Sequence, residues 1–124
     1  KIYVYTRSGT TWSNQAGFQP SSGATGGDYN GYHVRINDSG THVSASAVRW
    51  TNTNFTGRAI VYKRTGSSWA QAKVLSGTNT STGDYFGEGL AMDASGRYVA
   101  VGAPRDDTSQ NNVGTVSIFT APDA

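Results

Sequence analysis

Few side chains in this 124-residue chain have the chemistry to act on a ligand, and they fall into three groups. Arg49-Trp50 and Arg105-Asp106-Asp107 each follow a short run of small apolar residues, where a strand would give way to a loop. Loops at the end of a rigid scaffold commonly bind ligands. Trp50 has the flat face to stack on a sugar ring or to anchor a protein partner. The plainer alternative is a half-buried loop tryptophan beside a solvated charge pair. Trp12 and Trp69 form the second group, each following a Gly-containing turn. They read as packing residues, with a sugar platform as the alternative.

The third group is a pair of acidic turns, Asn37-Asp38-Ser39-Gly40 and Asp93-Ala94-Ser95-Gly96. Calcium needs about six to eight oxygen ligands, and one carboxylate per turn falls far short. Both are expected to be tight turns, so no metal site is expected. Asp28 and Asp84 stand in matching Gly-Asp-Tyr triplets, which suggests a structural role in accepting backbone hydrogen bonds. His33 and His42 are the only histidines, and neither has an acidic or nucleophilic partner by motif. There is no G-x-S-x-G or H-E-x-x-H, and the Gly-rich stretch 23–27 lacks the helix a phosphate cradle requires. Cysteine is absent, which excludes disulfides and thiolate metal sites. The expectation is a protein that is not an enzyme and has no cofactor.

Composition narrows the partners. The formal charge is +2, but the Lys and Arg residues are scattered singly, so nucleic acid is not expected. No apolar run is long enough to insert into a membrane as a helix. Three Asn-x-Ser/Thr sequons, at Asn37, Asn54 and Asn79, permit glycosylation without requiring it.

The elements that must position these residues are written twice. KIYVYTRSGTTW (1–12) returns as RAIVYKRTGSSW (58–69), and GDYNGYHVRINDSGTHVSASAVR (27–49) returns as GDYFGEGLAMDASGRYVAVGAPR (83–105). A third partial copy, GTVSIFT, closes the chain at 114–120. A period near 50 residues is the mark of propeller blades or stacked units. Alternating Val, Tyr and Trp between Gly, Ser and Asp turns predicts an all-β chain with four strands per unit. The first strand is Tyr85–Met92 (earlier copy Tyr29–Ile36), and the second Arg97–Ala103 (Thr41–Ala47). The third is Arg58–Lys63, echoed by Lys1–Thr6 and Thr115–Thr120, and the fourth is Trp69–Leu75 (Trp12–Phe18). Apolar residues on both faces of the third strand predict a neighbouring sheet on each side.

Phe86-Gly87 and Gly102-Ala103-Pro104, with the glycine and aromatic-bearing strand at 114–119, resemble the FG-GAP repeat. In the first copy Asn30-Gly31 and Ser46-Ala47-Val48 stand in their place. The resemblance implies antiparallel four-stranded β-propeller blades of the integrin-α-like kind. It gives two tandem units, a degenerate one at 1–57 that begins at its third strand and a second at 58–124. Phe86 would then pack between blades, and Gly87 would allow close backbone approach.

Two blades cannot close a propeller, and the third strand occurs once too often. The chain is therefore expected to be an excerpt of a longer propeller or a unit that assembles with further copies of itself. The expected function is structure or adhesion in an extracellular, cell-surface or virion-surface assembly. The alternative is a carbohydrate-binding module using Trp12, Trp69 or Trp50. Surface proteins or glycans are the expected outside partners.

Overall fold

The computed structural model describes residues 1–21, 26–50, 54–78, 80–107, 111 and 113–121. The stretch 23–25 and the sequon residue Asn79 lie outside the described residues. The chain is all-β and antiparallel, with no helix among the described residues. Its strands are β1 (Ile2–Ser8), β2 (Thr11–Phe18), β3 (Asn30–Ile36), β4 (His42–Ala47) and β5 (Arg58–Thr65). They continue with β6 (Ser68–Leu75), β7 (Gly89–Met92), β8 (Tyr98–Ala103) and β9 (Thr115–Thr120). Gly9 and Gly66 take φ of 58° and 62° at the two-residue turns that close β1–β2 and β5–β6. An L side chain is disfavoured in that left-handed region, which is why glycine sits at both.

The strands form three sheets in the orders β1-β2, β3-β4-β5-β6 and β7-β8-β9. Among the described residues the middle sheet alone has four strands, two drawn from each side of residue 57. No closed propeller is formed among the described residues. The expected first strand at Tyr85–Met92 is shortened to β7. Tyr85 and Gly87 both have positive φ, and Phe86 between them turns aside to bridge Gly57, so these three residues leave the extended ladder.

Two clusters hold the sheets face to face. Ile2 and Phe18 of the first sheet pack on Val43, Ala45, Ile60 and Tyr62 of the middle sheet. On the opposite face, Ala59, Val61 and Leu75 pack on Phe86, Leu90, Val99 and Val101. Successive residues of β5 therefore point into different cores, as the two-residue period of a strand requires. Burying each such side chain contributes on the order of 1.5–3 kcal/mol.

The prediction that every third strand is covered on both faces holds for β5 and fails for its two echoes. In β1 the Ile2 face is covered while Tyr3 and Tyr5 are exposed; in β9 Phe119 is half-buried while Val116 and Ile118 are exposed. Among the described residues, each terminal sheet has a neighbouring sheet on one side only. The register of β1–β2 also shifts between Val4 and Tyr5, and that of β5–β6 between Val61 and Tyr62, so the same bulge recurs in both hairpins.

Candidate functional site

Two of the loop residues singled out above, Arg49 and Arg105, join a ladder of rings and guanidiniums, while Trp50 pairs separately with Arg58. The Arg49 guanidinium lies 4.5 Å from the Tyr29 ring centre and 5.1 Å from that of Phe55. Phe55 stacks on Tyr85 at 5.7 Å, and Arg105 covers the Tyr85 ring at 4.6 Å. Arg58 lies 3.2 Å above Trp50. Tyr29, Phe55 and Tyr85 all adopt left-handed backbone conformations, with φ of 57°, 51° and 54°. Such a conformation costs about 1–3 kcal/mol for a bulky residue, so the surrounding contacts must hold it in place. Here the ring–guanidinium stacks and the backbone bond from Tyr85 N–H to the Phe55 carbonyl do so.

The candidate loop residues thus have distinct environments. Trp50 is half-buried with Arg58 over one ring face, which leaves less of it for a sugar. Asp106 is buried and accepts the Thr115 hydroxyl at 2.8 Å, while its carbonyl accepts the Gly114 N–H, so it organises the approach to β9. Arg105 and Asp107 are exposed. A guanidinium over a ring face has further N–H groups that can meet a carboxylate or a sulfate, although one of those of Arg49 donates to the Tyr29 hydroxyl at 3.3 Å. Asp84 is fully buried, with its carboxylate accepting the Ser81 N–H and hydroxyl, and Asp28 is buried at the matching place. Gly-Asp-Tyr is therefore a folding unit, with the carboxylate bound inside and the tyrosine outside as a rung.

The two repeated tryptophans differ. Trp69 is half-buried against Phe18 and donates its indole N–H to Gln15 across the sheet interface at 2.9 Å. It packs between sheets as expected. Trp12 occupies the equivalent position in the first sheet, but no sheet of the described residues lies outside it, and it is exposed. With Tyr3 and Tyr5 it makes an open aromatic face, and Arg7 lies 5.9 Å from its ring.

At the opposite end, both acidic turns are tied up by their own hydrogen bonds. Asp93 accepts the Ser95 hydroxyl and the Tyr98 N–H, and these bonds hold its carboxyl below the usual carboxylate range. Asn37 is buried. Its oxygen accepts the Thr41 and His42 N–H groups, and its amide donates to Ser39, Thr41 and the Ser95 carbonyl of the neighbouring hairpin. Burial, and then the nearby Lys63 ammonium, hold His42 below the ordinary imidazole value. Tyr62, buried between sheets, is pushed up to about 12 by desolvation.

Sequence reasoning missed Tyr29, Phe55 and Tyr85 as partners of the arginines. The signal was present: Tyr29 stands to Arg49 as Tyr85 stands to Arg105. It also missed the open face of Tyr3 and Tyr5. The FG and GAP segments behave as inferred. Phe86 is fully buried in the second core, and a side chain on Gly87 would press on Ser46 of the middle sheet. Pro104 follows the last residue of β8. No curated protein matches the chain. Residues 69–119, which carry both segments and run from β6 into β9, match the family model of the FG-GAP repeat.

Proposed function

We propose that the chain is a non-enzymatic module that works by presenting surfaces, as a structural or adhesive part of an extracellular, cell-surface or virion-surface assembly built on propeller-like blades. The FG-GAP match and the stacked antiparallel sheets support the architecture. The observation that carries adhesion is the recurring ladder, which holds Arg49 and Arg105 over tyrosine rings in two successive units. Its partner is an acidic group on a protein or glycan. Binding to a carboxylate-bearing polymer surface tests this, using wild type, the Arg49→Ala/Arg105→Ala double variant and the corresponding double lysine variant. Loss in both variants supports a ring-stacked fork; full retention in the lysine variant reduces the interaction to net charge and removes this reading.

The second reading, a carbohydrate-binding module, is favoured by Trp12, exposed beside Tyr3 and Tyr5. A glycan array separates the two. Binding lost in Trp12→Ala would establish the lectin reading, and no binding to any glycan removes it.

A further inference from the structure

We propose that the end of the sheets opposite the arginine–tyrosine ladder is a docking surface for a linear anionic glycan, its charges sulfates or carboxylates. This goes beyond the adhesion reading, since it uses the other end of the fold and other cations.

The cations that lie scattered in the sequence are gathered by the hairpins. Antiparallel pairing sets Arg7 beside the β1–β2 turn and Arg64 beside the β5–β6 turn, each opposite a tryptophan. Arg35 and Lys63 stand at the same end, opposite Ser44 and His42 of β4. The third sheet joins them there. The Asp38 N–H donates to the Ala94 carbonyl from one hairpin turn to the next, and Arg97 closes that second turn. Lys73 of β6 borders the same hollow as Lys63 and Arg97. Six of the ten Lys and Arg residues thus share an end with two of the eight carboxylates, Asp38 and Asp93. That end carries a formal +4 on a chain whose total is +2. Asp93 is already engaged by Ser95 and Tyr98. Lys73 and Arg97 are exposed, and among the described residues no carboxylate pairs with either.

The chemistry of this end selects its occupant. Cations clustered on one face are the footprint of a polyanion. Stacked sheets lie about 10 Å apart, close to the Debye length at about 0.1 M salt, so cations on successive sheets act together on one line of charges. Arg forks match sulfate and carboxylate oxygens. The turns at 9–10, 38–41, 66–67 and 94–97 add glycine and Ser or Thr hydroxyls, which can bond to sugars. They hold no aromatic or large apolar side chain. A nucleic acid single strand would call for stacking platforms, and a membrane surface for apolar side chains entering the headgroups.

Affinity for immobilised heparin, which carries sulfates, and polygalacturonate, which carries carboxylates, tests the proposal at about 0.1 M salt. Wild type is compared with Lys73→Gln/Arg97→Gln, which removes two charges from this end and keeps long side chains there. The control, Lys1→Gln/Gln19→Glu, changes net charge equally at the opposite end. Thermal melting checks that both variants fold. The first variant is expected to lose about tenfold or more, since each cation at an anionic surface contributes about a factor of five. The control should change less than about twofold, because its charges lie beyond the screening length. Wild type that binds neither polymer overturns the proposal, and so does equal loss in variant and control. Tighter binding to a DNA duplex or to phosphatidylserine vesicles gives the surface to another partner and also overturns it. The Arg49→Ala/Arg105→Ala variant is measured on the same polymers. Loss confined to it overturns this surface and leaves the ladder reading standing; loss in Lys73→Gln/Arg97→Gln supports this surface whatever becomes of the ladder.

Discussion

His42 is the residue through which mild acid reaches this fold. It is buried at the start of β4, opposite Lys63 of β5, with its Nδ1 3.0 Å from the Thr41 hydroxyl. Burial first, and Lys63 second, disfavour its charged form in the folded state. The unfolded chain binds the proton more readily, so stability is fully present above about pH 6.5 and is lost as pH falls through the lower, folded value. The melting temperature is expected to decline between pH 7.5 and pH 5. His42→Gln should flatten that decline even if it lowers the whole curve. An unchanged slope in the variant would assign the acid sensitivity to other groups; Asp93 is not one of them, since its lowered carboxyl stays ionised throughout this range.

At the scale of the elements, the chain depends on a few places where backbones approach without side chains between them. Gly57, just before β5, bridges Phe86 with φ of 77°, and a Cβ there would collide with the Phe86 carbonyl. Gly66 has a similar φ of 62° but open space around its Cα. Gly66→Ala should therefore cost about 1–2 kcal/mol, the left-handed penalty alone. Gly57→Ala adds a steric clash and the loss of the Phe86 anchor, and should cost more than about 3 kcal/mol. Urea denaturation of both variants checks the difference; equal losses would mean that the bridge contributes nothing. The strands themselves were legible in the sequence because turn residues recur at fixed offsets and mark where each hairpin must close. The start of β7 was not, because Phe86 reads as strand by composition while its position between Tyr85 and Gly87 forces it inward. The stacking of arginines on Tyr29 and Tyr85 was signalled only by the equal spacing of the two pairs, because the contact itself depends on φ values that no residue type announces.

Across the whole molecule, coverage falls from the middle of the stack to its ends. β4 and the first half of β5 are buried on both faces, whereas β1, β2 and β9 each have a face in solvent. Amide hydrogen exchange should be slowest in β4 and β5 and faster in β1 and β9, since outer sheets can open without exposing the whole core. Uniform protection in a dilute sample would show that the three sheets unfold as one unit. The exposed end faces were hidden from sequence reading for a related reason. Tyr3 and Val116 carry the side chains of buried positions, and only the number of sheets present decides whether they are covered.

The shared Asn37 amide also has a kinetic meaning. Its nitrogen, the atom a glycan would occupy, is committed to Ser39, Thr41 and the neighbouring hairpin at Ser95. A sugar attached before the hairpins meet would keep them apart, and once they meet the nitrogen is shielded. Along a secretory route, this sequon would record whether folding or the glycosylating enzyme arrived first.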